Sequence, residues 1–485
     1  MQQRLIFHVD VNSAFLSWEA ARRVAAGEPD LRAIPSAIGG DRDKRTGIIL
    51  AKSIPAKKFG VTTGEPVGMA LRKCPQLVLA PPDFALYTRN SRAFIAICRR
   101  FAPVVEQVSI DECFLDMTGT HLLYPDPLAV AHQIKDAIFS ELGFTVNVGI
   151  SENKLLAKMA SDFEKPDKVH TLFPAEIPQK LWPLPVGDLL SVGRALAEKL
   201  TAARIRTIGD LARTDLAYLQ KLTGVRTAAL LHNYACGVDP SPVLAEPEAV
   251  KCYGNSTTLE QDVTTVPQAN QVLLALCDSV AARLRADGRR CLCLTVTIRG
   301  SDFKNRSHQR RLPEPSDVTQ ELYDCAKSLF AEFWDGRPLR LLGVTLSDLT
   351  DGQTQQLSLF PDEKRDRARK LDQAVDQLRG KFGPAAISRG PLPPPPPQIH
   401  PQTARYLKKA AGAIPAPAAC FMLRSASPES FYRKHQNLPP AVSSPIHRLY
   451  HSASHTLPAA SNENRRDCQN PFLAASLSVP EMLPL

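Results

Sequence analysis

The sequence lacks the features of membrane and secreted proteins. It contains no apolar run near the roughly 18–20 residues that cross a bilayer. Its first residues lead directly into a predicted strand, so we expect neither a signal peptide nor a membrane-bound part. The 11 cysteines are scattered, and no Cys-x-x-Cys motif is matched by a second half, which argues against a structural zinc site. Free thiols without a signal peptide favour a cytoplasmic location.

Acidic residues are outnumbered by basic ones. The chain has 59 Lys and Arg against 49 Asp and Glu, a net charge of +10, which favours a polyanionic partner. The excess is concentrated from Arg283 to Arg311, where nine residues are basic and two are acidic, a local charge of +7. We therefore expect this segment to bind a polyanion.

The pattern of apolar residues divides the chain into several segments. A chain of 485 residues is expected to form more than one domain. The predicted segments are α/β at 4–170, helical at 171–240, a Pro- and Glu-rich linker at 241–258, α/β at 259–349 and a charged helix at 363–382. From Pro391 onward the sequence holds 17 of the 41 prolines without apolar periodicity, so we predict a disordered tail over 391–485.

Three acidic residues lie at the ends of apolar strand patterns. Asp111 and Glu112 separate the runs Val104–Val108 and Cys113–Leu115, as the tip of a hairpin would, and Asp10 ends an earlier run. Adjacent carboxylates repel one another, and burial adds a desolvation cost, unless a cation lies on them. Hard divalent cations take oxygen ligands, so this set favours a two-metal site for phosphoryl transfer. The alternative is that the acids are solvated surface charge.

Two groups of residues would suit a nucleotide bound at these acids. Phe15 follows Asp10 by five positions, and from position alone its ring either packs under a sugar or is a core residue of a helix. A second run places Lys52, Lys57 and Lys58 where they can offer cations to phosphate. By itself this lysine group is a weak indication.

A lysine stripe follows the apolar run that ends at Ile150. Ser151 is a candidate N-cap for a helix. That helix should stop at Pro166, because proline interrupts a helix. Lys154, Lys158 and Lys165 would lie on one face of that helix. Such a stripe either meets a triphosphate or is a solvated face.

Two motifs point to larger partners. Leu189–Leu200 predicts a helix, a tight turn through Gly193 and a second helix, whose first N–H groups can hold a DNA phosphate. An ordinary helical hairpin is the alternative. Gln356–Phe360 places two leucines and a phenylalanine between polar residues, which is typical of a peptide that docks on another protein.

Together these motifs resemble those of the Y-family translesion DNA polymerases of the bacterial polymerase IV type. The resemblance covers 4–390 and rests on His8–Phe15, Ser109–Glu112, Ala157–Pro166, the Gly193 hairpin and Gln356–Phe360. It implies a right-hand, multidomain α/β fold. The implied parts are palm and fingers at 1–170, with the fingers at 13–74, a helix-hairpin-helix thumb at 171–240, the linker at 241–258, an α/β little finger at 259–350, a clamp-binding peptide and C-terminal helix at 351–390, and the disordered tail at 391–485.

The resemblance also implies roles for individual residues. Asp10, Asp111 and Glu112 would be the catalytic ligands of two Mg²⁺ ions, for which Mn²⁺ can substitute, with the backbone carbonyl of Val11 beside them. Phe15 would be the steric gate against ribonucleotides. The remaining implied residues are Lys57 and Lys165 for the dNTP, Gly193, Arg289, Arg290, Arg310 and Arg311 for DNA, and Gln356, Leu357, Leu359 and Phe360 for the β sliding clamp.

The fingers depart from the family pattern. Many members have Thr, Tyr and Arg around the phosphate site, where this chain has Ala51, Ile54 and Lys57. Two hydrogen-bond donors are lost, and the fork of an arginine becomes a point charge. This loop therefore offers fewer contacts to a triphosphate, for which Lys52 can compensate. Ala14 also stands where many members have an aromatic residue, which leaves more room beside the gate.

The expected function is template-directed, low-fidelity DNA synthesis without a proofreading nuclease. The primer 3′-hydroxyl attacks the α-phosphate of a dNTP, and pyrophosphate leaves. The expected partners are primer–template DNA, dNTPs and the β clamp, and we expect a monomer at the bacterial nucleoid. Two other functions share some of these features. A metal-dependent nuclease would need neither Phe15 nor Lys165, and a non-catalytic, clamp-binding DNA scaffold would not need Asp111.

Overall fold

Our computed structural model describes residues 4–40, 47–351, 363–383 and 386–389. The strands are β1 Ile6–Val11, β2 Ser36–Gly39, β3 Ile49–Lys52, β4 Val78–Ala80, β5 Val104–Gln107, β6 Glu112–Asp116, β7 Val146–Ser151, β8 Val169–Thr171, β9 Cys252–Val263, β10 Arg289–Gly300, β11 Asn305–Ser316 and β12 Leu339–Asp351. The peptide Gln356–Phe360 and the tail 391–485 lie outside the described residues, so what the sequence predicts for them stays a prediction.

The helices lie between and after these strands, and several of them follow one another between β8 and β9. They are α1 Ala14–Ala25, α2 Ile54–Lys58, α3 Val67–Lys73, α4 Phe84–Phe101, α5 Pro127–Leu142, α6 Lys154–Ser161, α7 Ile177–Lys180, α8 Arg194–Ala202, α9 Ile208–Arg213, α10 Leu216–Thr223, α11 Val225–Ala235, α12 Val266–Ala286, α13 Thr319–Phe333 and α14 Glu363–Phe382. Among the described residues, no helix combines the length and apolar content needed to span a bilayer.

A five-stranded sheet in the order β5-β6-β1-β7-β8 forms the centre of the N-terminal part. β1 pairs antiparallel with both β6 and β7, and all six of its residues are buried because it lies in the middle of the sheet. Gly149 of β7 lets α6 pack closely on the sheet, since a Cβ there would lie 2.0 Å from the Ala157 carbonyl oxygen. The sheet therefore fixes α6 against the end of β1.

Two smaller units accompany this sheet, one inserted between β1 and β5 and the other following β8. β2 pairs with β3 and β4 in a three-stranded sheet, which packs with α2 and α3 around its own apolar cluster. The helices α7–α11 share a second cluster with Leu155, Leu156 and Met159 of α6. α6 therefore belongs to two cores: it packs on the central sheet and also anchors the helical region 171–240.

The C-terminal sheet has the order β11-β10-β12-β9, and α12 and α13 cover its apolar face. The predicted linker 241–258 is too long, because β9 begins at Cys252 and buries Thr257 and Thr258. The apolar pattern also does not predict β11. Its residues Asn305–Gln309 are all exposed and polar, because β11 is an edge strand and carries almost none of the apolar alternation that marks a strand.

The charged helix α14 docks on α12 and α13 through ion pairs. Asp372 of α14 is 1% exposed, and its Oδ2 accepts the Thr319 N–H at 2.8 Å and lies 3.3 Å from Nη1 of Arg285. Thr319 begins α13, whose N-cap residue Val318 has no capping side chain. Asp372 therefore supplies from another helix the acceptor that this helix start lacks.

A second buried pair fixes the other end of α14. Arg379 Nη2 lies 2.8 Å from Asp278 Oδ2 of α12, and both side chains are 7% exposed. Val375 is the one buried apolar residue of α14, so apolar burial contributes little to its docking. Buried charges are costly when their partner is removed, and the position of α14 thus depends on these pairs.

Replacing Asp372 should destabilise this region. We expect Asp372→Ala to lower its free energy of unfolding by about 1–3 kcal/mol, because the buried Thr319 N–H loses its acceptor, whereas Arg285 keeps Asp376 as an ion-pair partner. Native-state hydrogen exchange of α13 in the full chain measures the change. The matched control is Asp366→Ala at an exposed position of α14, which should change it by less than about 0.5 kcal/mol. Equally small effects of both variants would show that α14 does not depend on Asp372.

Candidate active site

The three predicted acids lie together at one end of the central sheet. Asp10 is directly opposite Glu112 in the β1–β6 pairing, and the Val11 N–H donates to the Asp111 carbonyl oxygen at 3.0 Å. Asp111 lies in the turn between β5 and β6, which pair as a hairpin. The apolar runs on both sides of the acids form these strands, and the pairing then brings the acids beside the end of β1.

Two lysines lie directly on these acids. Nζ of Lys158 is 3.2 Å from Asp10 Oδ2 and 2.9 Å from Glu112 Oε1, and Nζ of Lys165 is 2.8 Å from the same Asp10 oxygen. Burial alone would lower the pKa of Lys158, but the charges of Asp10 and Glu112 outweigh it and raise that pKa. Lys158 therefore stays charged and offsets part of the repulsion between the carboxylates.

Asp111 receives no such compensation. Among the described residues, no lysine, arginine or histidine forms an ion pair with it, and its Oδ1 accepts a hydrogen bond from Ser109 Oγ at 2.6 Å. Burial together with the charges of Asp10 and Glu112 raises the pKa of Asp111 to about 7. Asp111 is thus the carboxylate of the set that is short of positive charge.

The pKa of Glu112 is shifted in the opposite direction to that of Asp111. Burial alone would raise its pKa, but the imidazole of His8, with Nε2 3.9 Å from Glu112 Oε2, and the charge of Lys158 lower that pKa overall. His8 is itself fully buried, and its Nδ1 lies 2.8 Å from Ser161 Oγ at the end of α6. Two neighbouring carboxylates thus have pKa values shifted in opposite directions by their surroundings.

The donors at this site fit a hard divalent cation. They are the carboxylates of Asp10, Asp111 and Glu112, with the backbone of Val11 beside them, and oxygen ligands of this kind suit Mg²⁺. In the described part of the chain, no three Asp, Glu, His or Cys side chains converge as metal ligands, and Lys158 and Lys165 contact the carboxylates of Asp10 and Glu112. A divalent cation and the two ammonium groups thus compete for the same oxygens.

Asp10 and Asp111 line a cavity of about 420 Å³ between the central sheet and the β2-β3-β4 unit. The three residues predicted to bind a nucleotide, Phe15, Lys57 and Lys165, all line it. Thr63 also lines it and accepts a hydrogen bond from Lys52 Nζ at 3.2 Å. The sequence does not mark Thr63 as a site residue, because nothing in its local pattern is distinctive and only folding brings it to Lys52.

Phe15 both belongs to the core and lines this cavity. Its side chain is 6% exposed and stacks on Tyr87, with ring centroids 4.5 Å apart and an interplanar angle of 9°. Trp18 lies against the same ring at 5.9 Å. The ring is therefore packed in the core on one side and lines the cavity on the other, and its role against a sugar stays a prediction.

The predicted lysine stripe is wrong in part. Asn153, not Ser151, is the N-cap of α6, with its Oδ1 accepting the Leu156 N–H at 2.9 Å. The helix ends at Ser161, so Lys165 lies in the loop beyond it and not on the helix. Lys154 points away from the acids and pairs with Glu106 of β5 at 2.7 Å. Only Lys158 reaches the acids from the helix, and Lys165 reaches them from the loop.

Comparison with known proteins places this arrangement in a family. Residues 9–162 match the impB/mucB/samB family, 250–359 match its C-terminal domain, and 187–239 match the thumb domain of DNA polymerase iota. DNA polymerase IV of Clostridium acetobutylicum is 44% identical over 390 residues, which are 80% of this chain and 98% of that protein. The chain belongs to the Y family of DNA polymerases.

Other comparisons agree with this membership. DNA polymerase IV 1 of Bacillus subtilis strain 168 is 36% identical over 394 residues, 80% of this chain and 93% of that protein. The solved Y-family DNA polymerase chimera Dbh-Dpo4(243-245)-Dbh shares the fold, with a TM-score of 0.62, 24% identity and coverage of 71% of this chain and 98% of the chimera. The right-hand polymerase fold that the sequence predicts is thus confirmed. DNA polymerases of this family depend in general on divalent metal ions.

The thumb of this Y-family polymerase differs in detail from the prediction. The first helix expected before Gly193 is a three-residue 3₁₀ turn, Val186–Asp188. Gly193 is the N-cap of α8 and has no side-chain capping bond. A Cβ at Gly193 would meet no atom within 4 Å. The start of α8 is therefore open on the side where the sequence places a DNA phosphate.

The four arginines predicted to contact DNA in the little finger are not equivalent. Arg290 is 6% exposed, and burial lowers its pKa, so it offers little of its side chain to a DNA phosphate. Arg289, Arg310 and Arg311 are more exposed and form ion pairs with Asp351, Glu332 and Asp348, respectively. The sequence pattern counts charges but does not show which of them the fold buries or pairs.

Proposed function

We propose that the chain is a template-directed, low-fidelity DNA polymerase that adds deoxynucleotides to a primer 3′-hydroxyl, including opposite damaged bases. The observation that carries this proposal is the cavity where Asp10 and Asp111 on the palm side face Lys52 and Lys57 on the fingers side. Carboxylates on one wall suit metal ions, and cations on the other suit a triphosphate. A nuclease would need the first wall but not the second.

The carboxylates of Asp10, Asp111 and Glu112 and the carbonyl of Val11 are the groups that would hold two Mg²⁺ ions. Those ions would supply the chemistry that activates the primer hydroxyl and stabilises the charge that develops on the phosphates. Asp10 and Glu112 contribute negative charge that Lys158 partly balances. Preorganised charges of this kind lower the barrier because they need not reorient during the reaction.

The charged groups that the fingers offer the triphosphate in this cavity are Lys52 and Lys57. Ala51 and Ile54, which line the cavity, have no side-chain donor. Burial and the neighbouring charge of Lys57 lower the pKa of Lys52, and an anion between the two ammonium groups would relieve that repulsion. Lys165 donates to the triphosphate from the palm side.

Phe15 discriminates between deoxyribose and ribose. Its ring is held by Tyr87 and Trp18, so it cannot turn aside to admit a ribose 2′-hydroxyl. A hydroxyl packed against this ring would also lose its hydrogen bonds to water. The gate thus acts through both shape and desolvation.

The proposed partners follow from the rest of the chain. The open start of α8, Arg289 of β10 and Arg310 and Arg311 of β11 would hold the phosphates of primer–template DNA without reading its sequence. The peptide Gln356–Phe360 would bind the β sliding clamp. We place the protein in the bacterial cytoplasm at the nucleoid, acting as a monomer without a proofreading exonuclease.

Primer extension tests the proposed activity. The full chain with Mg²⁺ should extend a primer on an undamaged template and past a template lesion, and Asp111→Asn should abolish extension while DNA binding stays within about threefold, since the carboxylate serves chemistry and not DNA contact. The matched control is Asp116→Asn on the same hairpin, which should extend normally. Near-normal extension by Asp111→Asn, or degradation of the primer end by the wild type, would contradict the proposal.

The role of Phe15 is tested by sugar selection. Phe15→Val should raise the ratio of ribonucleotide to deoxyribonucleotide insertion by at least about tenfold, because a smaller side chain replaces the ring that excludes the 2′-hydroxyl. Single-nucleotide insertion kinetics give the ratio. Phe94→Val removes a fully buried ring of α4 and should leave the ratio unchanged. The same ratio for wild type and Phe15→Val would show that Phe15 is a core residue only.

A further inference from the structure

Two buried amides lie beneath the loop that carries Lys165. Asn147 of β7 is fully buried and Asn12, the residue after β1, is 8% exposed. Asn12 Nδ2 donates to Asn147 Oδ1 at 3.0 Å. Burying polar side chains within a sheet costs free energy unless their hydrogen bonds are made, so the partners of this pair indicate what it is for.

The partners of Asn147 are the backbone of that loop. Its Nδ2 donates to the carbonyl oxygens of Ser161 at 3.1 Å and Glu164 at 2.6 Å. Its Oδ1 accepts the Lys168 N–H at 3.3 Å in addition to the Asn12 amide. Both donor hydrogens and both acceptor positions of the side chain are therefore used.

Asn12 holds the other side of the same loop. Its Oδ1 accepts the Asp167 N–H at 3.0 Å and the Thr145 hydroxyl at 3.0 Å. The loop from 162 to 168 has no helix or strand of its own. The two amides therefore supply hydrogen bonds that regular structure would otherwise provide, and they do so at Glu164 and Asp167, on either side of Lys165.

We infer that Asn147 and Asn12 are positioning residues for Lys165, and that they set the affinity of the polymerase for the incoming triphosphate. The Lys165 side chain is 35% exposed, and its Nζ lies 2.8 Å from Asp10 and 2.9 Å from Asp162. A long lysine on a loose loop would lose rotamer entropy on binding an anion. Fixing the backbone on both sides of it reduces that cost. This inference rests on the proposed contact between Lys165 and the dNTP.

A double-mutant cycle tests the inference, because residues that act through one another give non-additive effects. The variants of the full chain are Asn147→Ala, Lys165→Ala and the double variant, and single-nucleotide insertion gives KM and kcat for the dNTP. Asn147→Ala should raise the KM by about tenfold, the order expected for one hydrogen bond to a charged group, and change kcat by less than about threefold. In the Lys165→Ala background, Asn147→Ala should raise the KM no further.

Two further variants separate positioning from folding. Asn153→Ala removes another buried amide, which caps α6 and donates to the Gly237 carbonyl oxygen at 2.9 Å, and any effect it has on the KM should multiply with that of Lys165→Ala. Asn147→Ser keeps one hydroxyl donor and a smaller cavity, and it should show the same coupling with a smaller rise in the KM. It carries the test if Asn147→Ala does not fold.

The outcomes distinguish this inference from the proposed function. If Lys165→Ala raises the KM but the effect of Asn147→Ala multiplies with it, the positioning role is overturned and the triphosphate contact stands. If a folded Asn147 variant that binds DNA normally leaves the KM unchanged, the positioning role is also overturned. If Lys165→Ala itself leaves the KM unchanged, the triphosphate contact is wrong and the inference falls with it.

Discussion

Repulsion among three carboxylates is the constraint on which the rest of the site depends. The β1–β6 pairing places Asp10 opposite Glu112, and the turn of the same hairpin adds Asp111. Neighbouring carboxylates repel one another and destabilise the folded chain unless positive charge is near. Lys158 and Lys165 supply that charge to Asp10, but Asp111 is left with a raised pKa. The uncompensated charge of Asp111 therefore destabilises the folded chain locally, and a bound divalent cation would remove that destabilisation.

The surrounding elements hold in place the lysines that offset the repulsion among the carboxylates. Gly149 permits α6 to approach the sheet so closely that Lys158 reaches the acids. The same helix shares an apolar cluster with the thumb, so the thumb packs on the helix that carries the charge-balancing lysine. The amides of Asn12 and Asn147 fix the loop of Lys165 in turn. Each element near the acids thus has a backbone or core anchor and does not depend on surface ion pairs alone.

Local pattern was sufficient for the acids and insufficient for what surrounds them. Apolar runs on both sides of Asp111 and Glu112 specify strands, and strand pairing then fixes where the acids lie. The lysine stripe was wrong for Lys154, and the charge pattern does not show that Arg290 is buried. Tertiary packing decides whether a charged side chain faces a site, a partner or the interior. β11 was missed because an edge strand needs no apolar face. The Asn12–Asn147 pair has no local signal, since its two residues are 135 positions apart and meet only in the folded sheet.

The most direct test of this account is the pH dependence of divalent-cation binding. Titration calorimetry of Mg²⁺ into the metal-free chain should show an affinity about tenfold weaker near pH 6 than near pH 8, because the cation must displace a proton from Asp111, whose pKa is about 7. In Asp111→Asn that difference should disappear. Equal affinities of the wild type at the two pH values, or the same ratio in the variant, would contradict the claim that Asp111 is the uncompensated carboxylate.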